Sequence, residues 1–275
     1  MTAHSSAANA AASSLMLLRE DIARIAVLTL NRPHALNSLS EAMLEALGDA
    51  LTAIAHDDGV RAVVLAANGP AFCAGHDLKE LYGHRADEDD GRAYFKHIMR
   101  MCSTMMQQIV SLPQPVIAAV QATATAAGCQ LVASCDLAVA SRTAKFATSG
   151  INVGLFCSTP MVALSRNVAH KPAMEMLLTG DMITAEHAER IGLVNRVVEP
   201  GSERDEVIKL ASRIAEKSAR AIRLGKEAFY RQIGMSLAEA YDYTAEVMVE
   251  NLLARDAGEG IGAFIEKRRP TWEDR

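Results

Sequence analysis

The sequence predicts an α/β core, with helices covering a parallel sheet, followed by an all-helical C-terminal region. Short apolar runs rich in strand formers alternate with stretches of helical spacing, which implies βαβ units. No strand-like run appears beyond about residue 200. A chain of 275 residues, 50% hydrophobic and 22% charged, can bury a sizeable core without covalent staples.

Taken in order, the first fourteen residues are Ala/Ser-rich, with no basic stretch and no continuous apolar run, and are expected to form a disordered arm. The first arginine is Arg19, so neither a secretory nor an Arg-rich transit leader is indicated. Ile25 to Leu30 reads as a strand stopped at Asn31-Arg32-Pro33, because proline cannot continue a ladder. Ser38-Leu39-Ser40-Glu41 has capping-box spacing, and Met43, Leu44, Leu47, Leu51 and Ile54 then recur as one face of a helix. Val60 to Ala67, Pro113 to Val120 and Leu137 to Ala140 read as further strands, the first closed by Asn68-Gly69-Pro70. Helical stretches are expected around Tyr94 to Val110, Pro160 to Val168 and Pro172 to Leu178. Residues 15–200 thus form the expected β/α core and 201–275 the helical region.

Charge and cysteine content narrow the function. A net charge of -5 argues against nucleic acid as the main partner, and no apolar run is long enough to span a bilayer. Cys73, Cys102, Cys129, Cys135 and Cys157 are odd in number and include no CxxC pair, which predicts reduced, mostly buried thiols in a cytoplasmic protein without a zinc site.

Two small-residue segments follow strands. One is Asn68 to Leu78, and the other is Ala126-Ala127-Gly128-Cys129-Gln130-Leu131, which opens a helix. Small residues let backbone amides approach a ligand, and a helix start exposes free N–H groups at the positive end of its dipole. Together, two such junctions can supply a pair of donors for a developing oxyanion.

With these segments in order, the chain resembles the enoyl-CoA hydratase/isomerase (crotonase) superfamily from about Leu15 to Trp272. The resemblance rests on Leu30-Asn31-Arg32-Pro33 with Ala35-Leu36-Asn37, Ala74-Gly75-His76-Asp77-Leu78, Pro115 to Val120, and Gly128-Cys129-Gln130-Leu131 with Cys135-Asp136. It continues through Leu178-Thr179-Gly180, Gly192-Leu193-Val194-Asn195 and Phe264 to Pro270. It implies a crotonase-like spiral of ββα turns with a helical C-terminal trimerisation region, and a homotrimer or dimer of trimers. The ligand would be an acyl-CoA thioester, with no cofactor because coenzyme A is part of the substrate. Its thioester oxygen would sit between the backbone N–H groups of His76 and Ala127, the latter standing where the family usually has glycine. Coenzyme contacts would come from Arg32, Ala35, Ala74, His76, Asp77, Leu78 and Lys79, and from Lys267 in the Lys267-Arg268-Arg269 run, with Phe264 and Trp272 near the adenine or the interface.

The family's hydratases use two glutamates, and both are replaced here, by Gln130 and Gly150. Glutamine does not exchange a proton near neutral pH and glycine has no side chain. Each general acid or base contributes about 10²–10⁴-fold, so ordinary hydration is expected to be weak or absent. Asn152, Cys157, Ser158, Thr159, His84 and His97 are weak candidate substitutes: none is a good base without a partner or a perturbed pKa, and the default for the two histidines is a solvated surface position. Asp136 reads as structural. Two functions lead, an enzyme acting on an acyl-CoA through an enolate-like state or a non-catalytic acyl-CoA binding protein; a third class, a purely structural oligomer, would lack any CoA affinity.

Overall fold

The computed structural model describes residues 15–275, and the expected N-terminal arm lies outside them. The chain opens with β1 (Leu17–Ile22) and β2 (Ile25–Leu30), followed by α1 (Glu41–Ala55). Next come β3 (Ala62–Ala67), β4 (Ala71–Cys73), α2 (Leu78–Gly83) and α3 (Arg92–Ser111). The pattern then repeats with β5 (Val116–Val120), β6 (Thr123–Thr125) and α4 (Ala127–Ser134), and again with β7 (Leu137–Ser141) and β8 (Lys145–Ala147). After these lie α5 (Pro160–Leu164), α6 (His170–Thr179), β9 (Ile183–Thr184), α7 (Ala185–Arg190) and β10 (Arg196–Val198). Four helices close the chain: α8 (Glu203–Ala215), α9 (Ala219–Gln232), α10 (Leu237–Leu253) and α11 (Arg255–Glu266).

The strands divide between two sheets, ordered β1-β2-β3-β5-β7-β10 and β4-β6-β8-β9. Each repeat lays one strand in the large sheet, one in the small sheet, and then a helix, so the ββα spiral follows from the sheet order. All neighbours in the large sheet are parallel except β1, which returns on β2 as a hairpin. Its central strands are apolar on both faces. Leu28, Leu30, Val63, Leu65, Val116 and Ala118 pack with the helices on one side. Ile25, Val27, Val64, Ile117 and Val139 pack on the other with Val207 and Ala211 of α8. Double coverage explains why these strands read as unbroken apolar runs rather than alternating ones.

The expected apolar face of α1 is buried at all five positions, Met43, Leu44, Leu47, Leu51 and Ile54. Its cap differs from expectation. Ser40, not Ser38, accepts from the Met43 N–H (3.3 Å), and Ser38 instead joins Arg32 and Asp77. The Glu41 side chain pairs with His97 rather than closing a capping box. The sequence reading missed β1, β10 and the strands of the small sheet; β10 and the small-sheet strands, at two or three residues, are too short to show a period.

Asp136 has the structural role expected of it. Its Oδ2 accepts from the Val116 N–H (2.7 Å) and from Lys226 Nζ (2.7 Å), and its Oδ1 accepts from the Tyr230 hydroxyl (2.9 Å). Lys226 Nζ also donates to the Ile109 and Gln114 carbonyls, both at 3.1 Å. This cluster ties α9 to the start of β5. Burial lowers the Lys226 pKa, against the opposing pull of Asp136. Deleting one partner of a buried pair costs about 3–5 kcal/mol, because the other charge is stranded. Asp136→Ala should therefore lower unfolding stability by about that amount in urea titration, whereas an exposed change such as Lys209→Ala should have little effect.

Candidate functional site

The site forms where the end of β4 meets the first turn of α4. A loop at 32–37 sets the position of the first segment. Leu36 and Asn37 both adopt left-handed backbone angles, with φ of 52° and 53°. The fully buried Asn37 side chain makes three hydrogen bonds: Oδ1 accepts from the Arg32 N–H (2.8 Å), and Nδ2 donates to the Asn68 and Ala71 carbonyls (both 2.8 Å). The segment after β4 is then zipped to this loop. Ala74 N–H donates to Leu36 O (3.0 Å), Leu39 N–H to Gly75 O (2.7 Å) and Asp77 N–H to Leu39 O (3.3 Å).

In that parallel bridge His76 stands opposite Leu39, but the ladder bonds run through Gly75 and Asp77. The His76 N–H is therefore directed away from Leu39 and has no acceptor among the described residues. On the far side lies the β6–α4 junction. Thr125 Oγ1 donates to Ala74 O (3.1 Å), and a Cβ placed on Gly75 would lie 3.2 Å from the Ala127 nitrogen. Ala127 is the first residue of α4, so its N–H has no partner within the helix, and none is found elsewhere among the described residues. Two unsatisfied backbone donors thus flank one short stretch of backbone.

Glycine makes this approach possible. A Cβ on Gly128 would lie only 2.1 Å from the Cys73 carbonyl oxygen. The strain at this junction falls on Ala126, whose φ of 49° and ψ of -119° are unusual for a residue with a side chain. Ala127 itself is helical, so its own side chain leaves the donor intact.

Around the donors the side chains are uncharged or already paired. Gln130, one turn further along α4, is 5% exposed and its Oε1 has no partner. Thr148, just past β8, is fully buried with its Oγ1 also unpartnered, and the sequence reading did not single it out. Gly150 does more than lack a carboxylate. A Cβ there would meet the Leu155 carbonyl oxygen at 2.5 Å and Cys157 Sγ at 2.8 Å. The Gly150 N–H donates to Cys157 Sγ (3.3 Å), and burial pushes that thiol's pKa up. Both ring nitrogens of His76 are buried without a well-formed hydrogen bond among the described residues, and burial lowers the ring's pKa against a weaker opposing pull from the Leu39 backbone.

Arg32 Nη1 binds Asp77 Oδ2 (2.7 Å), and Asp77 Oδ1 caps α2 through the Lys79 N–H (3.0 Å). Ala35 and Ala74 are half-buried beside them, while Leu78 and Lys79 are exposed. Lys267 is exposed at the left-handed C-cap of α11. Of its neighbours, Arg268 is bonded to Glu259 and Glu266. Trp272 packs against Gly260 and donates from its indole to Glu216 O (2.8 Å), whereas Phe264 is 85% exposed. Among the other substitutes weighed, Asn152 donates to Gly180 O, Ser158 to Phe156 O, and Thr159 is half-buried. His84 pairs with Asp87 and stacks on Tyr94, and His97 pairs with Glu41, all partly exposed.

Two outcomes are expected. Gly128→Ala should destabilise the fold by about 1–3 kcal/mol in urea titration, because backbone must move to admit the methyl group. His76 should make folding stability fall as pH drops below the ordinary imidazole value of 6.5, since the unfolded ring takes up a proton that the buried ring resists. That loss ends once pH passes the lowered folded value. His76→Gln should flatten this part of the stability–pH curve; an unchanged curve would contradict the assignment.

Among the described residues, no helix is long and apolar enough to cross a membrane, and no cluster of His, Cys, Asp or Glu is suited to a metal ion. Residues 20–275 match the enoyl-CoA hydratase/isomerase family. Enoyl-CoA hydratase domain-containing protein 3, mitochondrial, of Rattus norvegicus is 46% identical over 89% of this chain and 80% of its own. Among solved structures, an enoyl-CoA hydratase of Mycobacterium smegmatis superposes with a TM-score of 0.90 at 54% identity, covering 94% of this chain and 99% of that one. Human enoyl-CoA hydratase domain-containing protein 3 gives 0.89 at 44%, covering 94% and 100%. The ββα spiral, the helical C-terminal region and these likenesses agree: the chain belongs to the enoyl-CoA hydratase/isomerase family.

Proposed function

We propose that this protein binds acyl-CoA thioesters with the carbonyl oxygen between the His76 and Ala127 N–H groups, and that it is a poor hydratase. The observation that carries this reading is the pair of free donors set beside an uncharged Gln130 and a position 150 with no room for a side chain. When a proton leaves the α-carbon of a thioester, or water adds at the β-carbon, negative charge grows on the carbonyl oxygen. Fixed N–H dipoles aimed at that oxygen stabilise it, at about 3–4 kcal/mol per donor in the transition state. They do not move protons. In hydration a water must lose a proton and the α-carbon must gain one, and neither Gln130 nor Gly150 does this.

The crowding at Gly150 favours the binding reading over enolate chemistry with water. The loop at 150–157 leaves no space at position 150 for a side chain of any kind, which supports this preference. For the coenzyme, the Arg32–Asp77 pair is mutually neutralised, and Lys79 and Lys267 are exposed cations that could meet its phosphates. Trimerisation would bring a neighbour's Lys267 to the ligand. The exposed Leu253, Phe264 and Ile265 of the last two helices suit such an interface. Five unpaired, buried cysteines fit a reducing compartment, and we retain a cytoplasmic location as part of this reading, although the Rattus norvegicus relative is named as mitochondrial.

Calorimetry should detect binding of butyryl-CoA. Crotonyl-CoA hydration should be slower by about 10²–10⁴-fold or more than in a relative carrying both glutamates. Gln130→Glu should raise the rate. Gly150→Glu should instead lose stability, because its Cβ collides with the Leu155 carbonyl. No acyl-CoA binding at millimolar concentration, or brisk hydration by the unaltered protein, would overturn the proposal.

A further inference from the structure

Residues 271–275 follow α11 without forming helix or strand, yet every one of them is bonded to a residue outside the segment. The Thr271 N–H donates to Glu259 (2.8 Å), the Trp272 indole to Glu216 O (2.8 Å), and the Glu273 N–H to Asp256 Oδ1 (2.8 Å). The Asp274 carboxylate accepts from the Ala219 N–H (3.0 Å) and pairs with Arg61, and the Arg275 carbonyl accepts from the Asp256 N–H (3.1 Å). Asp274 also holds a left-handed backbone, φ 63°, which a residue with a side chain seldom keeps unless its surroundings fix it.

The partners come from separate parts of the fold. Glu216, Lys217 and Ser218 are the whole connection between α8 and α9, and each is gripped. Trp272 takes Glu216 O, Arg61 Nη1 reaches Lys217 O (3.5 Å), and Ser218 Oγ donates to Asp256. Arg61 stands just before β3, and Asp256 lies in the first turn of α11. Both are buried charges, with the Arg61 side chain 4% exposed and Asp256 3% exposed. Among the described residues, Asp274 is the one carboxylate bonded to Arg61. The Asp256 carboxylate draws its backbone donors from Glu273 and Asp274. Loss of this segment would strand both charges.

Little else fixes the last two helices. α10 buries no residue, and α11 buries only Ala263 besides Asp256. By contrast, α8 seats Val207 and Ala211 on the large sheet, and α9 is anchored through Lys226 and Tyr230 to Asp136. We propose that residues 271–275 are a strap that clamps α10 and α11, as one hinged pair, to Arg61 and the α8–α9 connection. On release of the strap, the pair swings about residues 233–236, where α9 passes to α10 and Gly234 has open space beside it. The strap thereby fixes the direction in which the exposed Leu253, Phe264 and Ile265 point. This device involves no ligand and stands apart from the thioester reading.

Hydrogen–deuterium exchange of the whole chain tests the strap, in the unaltered protein, in Asp274→Ala and in the double variant Arg61→Met with Asp274→Ala. The double variant removes the cation that the single variant strands, so it separates strap release from charge burial. In both variants the amides of α10 and α11 should exchange roughly tenfold faster or more. In the double variant those of α1 and β5 should keep the unaltered rate, and this arm decides the matter if the single variant fails to fold. Unchanged exchange in α10 and α11 of the double variant would overturn the proposal, because the pair would then be held by something else. An equal rise in α1 and β5 would also overturn it, because the pair would then open only when the whole molecule does.

Discussion

The site depends on a close backbone approach between the first turn of α4 and the end of β4, where Gly128 leaves no space for even a methyl group beside the Cys73 carbonyl. This contact decides how near the α4 N-terminus can come to the segment 74–77, and hence whether two N–H groups from distant parts of the sequence face a common point. A pair of donors separated by one extra side-chain layer would be two ordinary helix and loop ends. Held at this distance, they are the pair of donors on which the proposed thioester site rests.

The rest of the molecule supports that contact from outside. Asn37 holds the loop at 32–37 against residues 68–71 through three hydrogen bonds, and that loop in turn zips the His76 segment into register. From the other side, the β6–β8 pairing anchors Ala126 through its N–H, which stabilises a backbone angle that alanine otherwise avoids. Farther away, the Asp136–Lys226–Tyr230 cluster fixes α9 against the start of β5. None of these groups needs to touch a ligand to govern where the donors point.

Much of this was legible in the residues. The face of α1 follows from helical spacing alone, and the observed bounds of β2 are the expected Ile25 and Leu30. The absence of both glutamates is plain at Gln130 and Gly150 once the flanking motifs align. Other features lie beyond sequence pattern. Whether Ser38 or Ser40 caps α1 depends on the Arg32–Asp77 pair, which draws Ser38 away. The strands of the small sheet carry no period of their own and exist because longer neighbours bring them side by side. That position 150 is closed as well as empty depends on a carbonyl five residues later. The burial of the Thr148 hydroxyl likewise appears only in three dimensions.

Under the proposed reading, strong backbone dipoles beside neutral side chains would polarise a thioester carbonyl without transferring protons. The most direct test is the stretching frequency of the thioester carbonyl in butyryl-CoA labelled with ¹³C at that carbon, recorded by isotope-edited infrared difference spectroscopy, free in water and bound. Two N–H donors converging on the oxygen should move the band to lower frequency than in water. A bound carbonyl at or above the aqueous frequency would mean that the His76 and Ala127 amides do not grip it, contradicting the central claim.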